Sequence, residues 1–179
     1  GRQGHEIDCF GIGTHLVTCQ KQPALGCVYK LVEINGTPRI KLSQEVEKLV
    51  IPCSKSVFRL YGRDGLPLND IMTAIDEPPP KVGVRLLCRH PFSENLRAYV
   101  TPSRVECLLQ CVFDGPAGFI APEPSLVEAQ ERCRSQLSGV RNDVVRSLNP
   151  TPYKVSVSVY LFDYMHKLWL EEAPVADLA

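Results

Sequence analysis

The sequence predicts an α/β protein: one strand ending in a phosphate-type turn, then a β-rich middle, then a helical end. Three observations carry this prediction. Ile7-Asp8-Cys9-Phe10 is a short, mostly apolar run that leads straight into Gly11-Ile12-Gly13-Thr14. Apolar, β-branched runs separated by turn residues then alternate from Val28 to Val100. Beyond Thr101 the apolar positions recur at three and four residues, the period of a helix.

A buried strand that ends in glycines brings bare backbone N–H groups to the end of a sheet, where an anion meets no side chain. Thr14 adds a hydroxyl donor, and a helix starting near Leu16 would aim its positive end at the same point. Phosphate suits Gly11, Gly13 and Thr14; the plainer alternative is a strand-to-helix turn that uses glycine for geometry alone. His15 follows the turn directly and reads as a solvent-facing helix-start residue rather than a phosphate ligand. Strands of this kind belong to parallel sheets or barrels, and in (β/α)₈ barrels phosphate often binds after strands 7 and 8. The neighbouring strands of such a barrel are then expected upstream of this chain.

After a polar connector at Gln20–Gly26, Val28–Ile34 and Pro38–Leu42 flank Asn35-Gly36-Thr37, a strong hairpin signal because Asn and Gly accept positive φ. Lys55–Tyr61 reads as a strand closed by Gly62-Arg63-Asp64-Gly65, and Leu68–Ile75 as another, with a short helix as its alternative. Glu77-Pro78-Pro79-Pro80 is a stiff linker. Val82–Cys88 and Leu96–Val100 are short strands around a polar loop. Thr101-Pro102 reads as an N-cap and first helical turn for Val105, Leu108, Leu109 and Val112, with Gly115 as the stop. Ser125 and Glu128 form a capping box ahead of Leu126, Ala129, Cys133 and Leu137, and Gly139 ends that helix. A last helix over Ser158–Glu171 places Leu161, Phe162, Met165, Leu168 and Trp169 on one face, with Trp169 and Tyr164 packed on the chain's own core.

Across 179 residues, 20 Lys and Arg balance 20 Asp and Glu. That balance argues against nucleic acid or an anionic membrane as the main partner, since both reward a cationic surface. No apolar run approaches the ~20 residues that span a bilayer. The eight cysteines contain no Cys-x-x-Cys pair, which disfavours a zinc site. Cys107 and Cys111 would share a helix face but lack further ligands nearby. No secretory signal opens the chain, so reduced thiols in a cytosolic protein are expected.

Ile7 to Thr14, Val17-Thr18-Cys19 and Pro23-Ala24-Leu25-Gly26-Cys27-Val28-Tyr29-Lys30-Leu31-Val32 resemble the nicotinate phosphoribosyltransferase family. The resemblance continues through Lys41-Leu42-Ser43, Pro52-Cys53-Ser54-Lys55 and Phe58-Arg59, and returns at Asn149-Pro150-x-x-Tyr153-x-Val155. It implies a C-terminal portion of the enzyme, in which residues 1–25 end a phosphoribosyltransferase (β/α) barrel. Residues 26–100 would form a β-rich sandwich segment and 101–179 its C-terminal helical segment. It also implies synthesis of nicotinate mononucleotide and pyrophosphate from nicotinate and phosphoribosyl pyrophosphate, coupled to ATP hydrolysis, with Mg²⁺ on the phosphates.

In that setting Gly11, Gly13 and Thr14 would hold the 5′-phosphate. Lys30, Lys41, Lys55 and Arg59 match the family pattern, though pairing with Glu33 and Glu45 or guarding a sheet edge is the plainer role. No catalytic role carries over to His5, His15, His90 or His166. A cytosolic homodimer completed by the N-terminal part of the same protein is implied. The alternative is a non-catalytic truncated isoform or sandwich module acting in protein interaction.

Overall fold

The computed structural model describes residues 7–11, 17–21, 29–41 and 49–172. The chain divides into two units, Gly1–Leu31 and Val32–Ala179. In the first, residues 7–11 carry no strand, and Ile7 and Phe10 are exposed. The neighbours expected for a strand at Ile7 belong to a barrel formed upstream of these residues. A strand is made by a neighbouring backbone laid along it, which an apolar pattern cannot itself supply. Ile12, Gly13, Thr14 and His15 lie outside the described residues.

The second unit opens with the hairpin announced by Asn35-Gly36. Strands β1 (Glu33–Ile34) and β2 (Thr37–Pro38) pair antiparallel across that two-residue turn. Asn35 and Gly36 have φ of +49° and +71°, the signs a type I′ turn requires. The ladder is shorter than the apolar runs suggest, and the amide of Arg39 extends it with a 2.8 Å bond to the carbonyl of Val32.

A larger hairpin follows. Strand β3 (Lys55–Tyr61) runs antiparallel to β4 (Pro67–Ala74) around Gly62–Gly65, where Gly65 takes φ +77°. Strands β5 (Leu86–His90) and β6 (Ser93–Val100) form the next pair. The first of them starts later than Val82 because the chain turns at Gly83, φ +75°.

The helix expected after Thr101-Pro102 is absent. Strand β7 (Arg104–Cys107) pairs with β3, placing Val105 opposite Leu60 and Cys107 opposite Phe58. Leu60 is fully buried, so the long-range partner outweighs a local helical spacing. Cys107 and Cys111 consequently share no helix face. Gly115, expected to stop that helix, begins a 3₁₀ turn between β8 (Phe113–Asp114) and β9 (Gly118–Phe119).

Strand β10 (Val155–Val157), which no local pattern announced, inserts between β4 and β5, parallel to the former and antiparallel to the latter. The resulting sheet has the order β6-β5-β10-β4-β3-β7. Laid flat, its edges would stand about 24 Å apart at the usual strand spacing. Yet the chain passes from one edge to the other through Thr101-Pro102-Ser103 alone, a connection that reaches about 15 Å at most. The sheet must therefore curl until its edges approach at that corner. The amides of Gly83 and Ser103 support the corner by bonding the carbonyls of Pro102 and Tyr61, each at 2.9 Å. Inside the curl, Leu86 and Val100 from one side and Val105 from the other pack on Phe58, Leu60, Ile71 and Cys88.

The outer face is covered by helix α3 (Val159–Glu172), whose Leu161 and Phe162 pack with Val157 and Met72. Ser158 caps it, its hydroxyl accepting from the amide of Leu161 at 3.0 Å and donating to Glu77 at 2.6 Å. The carboxylate of Glu77 thereby fastens the proline-rich linker to the helix start. Helix α1 (Leu126–Ser138) has the expected capping box and the expected Gly139 end, but none of its residues is buried. A short α2 (Asn142–Val145) leads toward β10.

Candidate functional site

The candidate anion turn lies in the first unit. Gly11 is exposed, and a Cβ built there meets nothing within 4 Å. Gly13 and Thr14, its expected companions, lie outside the described residues.

The four family-matching cations are divided between the two units. Lys30 belongs to the first unit, and Lys41 is exposed on the second. Lys55 and Arg59 share one face of β3 but stand four residues apart, about 13 Å. Lys55 turns its ammonium inward, donating to the carbonyls of Ile51 and Cys53 at 2.6 Å and of Pro52 at 3.3 Å. Burial pushes its pKa down, against the pull of Cys53 and Glu33. Glu33 is engaged elsewhere, accepting from the amide of Ser54 at 2.8 Å. These contacts lock the segment before β3 and leave Lys55 few donors for a ligand.

Arg59 belongs to a network that sequence reasoning missed. Its Nε and Nη2 each donate to one oxygen of Asp70 at 2.8 Å, and Tyr153 donates to the same carboxylate at 2.8 Å. The guanidinium also lies 5.9 Å from the Tyr153 ring centroid. The hydrogen bonds to Asp70 hold the guanidinium pKa above its ordinary value. Burial, then Asp70, raises that of Tyr153. A bidentate fork joined by a phenol ties β3, β4 and the entry to β10 together and positions backbone. Residues 59 and 70 meet because they pair across β3 and β4, a register set only by the folded hairpin. Further along the same face Tyr61 donates to Glu106, and Arg104 lies 3.4 Å over the Tyr61 ring.

An open groove of about 610 Å³ runs beside α3, lined among others by Arg89, Glu94, Asp163, His166 and Lys167. Arg89 lies 3.5 Å over Phe162, against which the His166 ring also stacks at 3.9 Å. His166 Nδ1 donates to the carbonyl of Phe162 at 2.8 Å, and His90 Nδ1 accepts from the amide of Phe92 at 3.2 Å. With acids and bases interspersed, the groove has no single-sign field to attract a phosphate. Among the described residues no group of three or more His, Cys, Asp or Glu could hold a metal ion, and no helix is long and apolar enough to cross a membrane.

A curled mixed sheet with one helix on its outer face defines a domain class, and comparison with known proteins gives the family. Residues 54–165 match the family model described as the nicotinate phosphoribosyltransferase C-terminal domain. Nicotinate phosphoribosyltransferase 2 of Arabidopsis thaliana is 62% identical over 99% of this chain, and the Dictyostelium discoideum enzyme 52% over 99%. The human enzyme is 38% identical over 97%. A crystal structure of human nicotinic acid phosphoribosyltransferase superposes with a TM-score of 0.67 and 34% identity, covering 82% of this chain and 27% of that one. This chain belongs to the nicotinate phosphoribosyltransferase family. It spans about a third of the length of the curated relatives it matches.

Proposed function

We propose that this chain is the C-terminal portion of an enzyme that joins nicotinate to phosphoribosyl pyrophosphate, giving nicotinate mononucleotide and pyrophosphate with coupled ATP hydrolysis. The observation that supports it is the match of 99% of this chain to a third of the Arabidopsis enzyme at 62% identity. In the reaction the ring nitrogen of nicotinate bonds to C1 of the sugar while the bond from C1 to the pyrophosphate oxygen breaks. The demands are alignment and stabilisation of negative charge on the departing pyrophosphate.

The chain's own contribution is anion positioning by Gly11, Gly13 and Thr14 at the end of a barrel completed by residues 1–25. The nicotinate-binding and phosphohistidine motifs are supplied from upstream. Mg²⁺ would travel with the phosphates of ATP and phosphoribosyl pyrophosphate. The working molecule in this reading is a cytosolic homodimer.

The test joins this chain to the upstream part of the Arabidopsis relative and assays nicotinate mononucleotide from nicotinate, phosphoribosyl pyrophosphate and Mg²⁺, with and without ATP. The joined protein should form product, and the 179-residue chain alone should form none. A folded but inactive joined protein would overturn the reading. So would product from the isolated chain, for the assignment of catalysis to upstream motifs. In the joined enzyme Gly13→Val should raise KM for phosphoribosyl pyrophosphate roughly tenfold, the worth of one charge-assisted hydrogen bond. An unchanged KM would remove the phosphate from this turn.

A further inference from the structure

Helix α1 is capped at both ends and yet exposed along most of its length. Its capping box is complete, Gly139 closes it, and no residue between Leu126 and Ser138 is buried. Leu126 is 91% exposed and Leu137 58%. At 100° per residue, Leu126, Ala129, Cys133 and Leu137 fall in one stripe, with Glu128, Glu131, Arg132 and Arg134 off it. Such a stripe belongs to a helix that meets a surface, and thirteen residues are marginal as an isolated helix in water. The preceding hairpin repeats the pattern: Phe113 and Phe119 stack edge to face at 5.3 Å while both stay exposed.

We propose that the α1 stripe, with the Phe113–Phe119 pair, is the seat on which the upstream two thirds of the same polypeptide docks. The inference rests on the reading of this chain as part of a longer enzyme. Two observations favour this occupant. The relatives carry roughly twice as much chain outside the matched third as within it. A segment tethered to the same backbone also acts at millimolar effective concentration, ahead of a second copy free in solution. The two acids and two bases off the stripe carry no single-sign field for a nucleic acid or an anionic membrane.

Hydrogen exchange tests it without any substitution. In the joined protein, amides of Leu126–Ser138 and Phe113–Phe119 should exchange at least roughly tenfold more slowly than in the 179-residue chain, at all protein concentrations. The matching peptides of the intact Arabidopsis relative give a second reading that needs no joined protein. Leu137→Arg should leave thermal unfolding of the isolated chain unchanged and lower that of the joined protein. Equal exchange in both settings would overturn the proposal, as would protection that fades on dilution, which would give the stripe to a second copy. Product formation is assayed on the same sample. Activity with an unprotected stripe refutes the docking alone, and protection without activity refutes the enzymatic reading alone.

Discussion

Asp70 is the residue on which the outer face of the sheet turns. It accepts both prongs of Arg59 and the phenol of Tyr153 while itself largely buried, so removing its charge weakens three hydrogen bonds at once. Asp70→Asn should lower stability by about 1.5–3 kcal/mol, the range for hydrogen bonds to a charged group. The measurement is the urea midpoint; an unmoved midpoint at constant slope would show that the fork carries no stability. Tyr153 supplies the pH dependence. Its folded pKa is held above the ordinary value near 10, by burial first and Asp70 second. The stability it contributes is therefore whole below about pH 10 and is lost as pH climbs through the folded value. The midpoint should fall above about pH 10, and by less in Tyr153→Phe. An identical alkaline fall in both proteins would clear Tyr153 of the effect.

At the scale of elements, turns and caps act locally. Gly36 takes φ +71° with open space around it, so a side chain there costs backbone strain and no clash. Gly36→Val should cost about 1–2 kcal/mol. The amide of Arg39, bonded across the hairpin to Val32, should then exchange faster while β3 and β4 keep their protection. Ser125 accepts from the amide of Glu128 and completes the box that starts α1. Ser125→Ala should weaken that helix by about 1 kcal/mol. Because α1 buries nothing, the loss should show as faster exchange within Leu126–Ser138 of the isolated chain, with global unfolding unmoved. A shift of the global midpoint would mean that α1 is coupled to the sheet.

For the whole molecule, two clusters on opposite faces of one sheet decide cohesion. Leu60 sits inside the curl and Leu161 beneath α3, both with no exposed surface. Each Leu→Ala change should cost about 3–5 kcal/mol, the range for cavities opened at fully buried leucines. Both should lower a single shared transition, since β4 and β10 belong to both faces. Two transitions that separate in one variant would show that the faces unfold independently.

The sequence by itself determined the elements whose causes are local. Asn35-Gly36 specifies a I′ turn by its tolerance of positive φ, and Ser125 with Glu128 specifies a helix start by satisfying its own amides. The apolar periodicity of Leu161, Phe162, Met165, Leu168 and Trp169 placed α3; the first three are buried, whereas Trp169, near the helix end, is exposed. The family, too, was legible, because its motifs lie in order along the chain. Tertiary structure decided what depends on distant partners. Residues 104–107 read as helix by spacing but became a strand because the edge of β3 was open beside a buried Leu60. Val155–Val157 is too short to announce itself and exists as β10 only between β4 and β5. The Arg59–Asp70–Tyr153 fork needs a register that no single segment contains. Hydrogen bonds across a sheet join residues far apart in sequence, and a period of 2 or 3.6 cannot say which backbone will lie alongside.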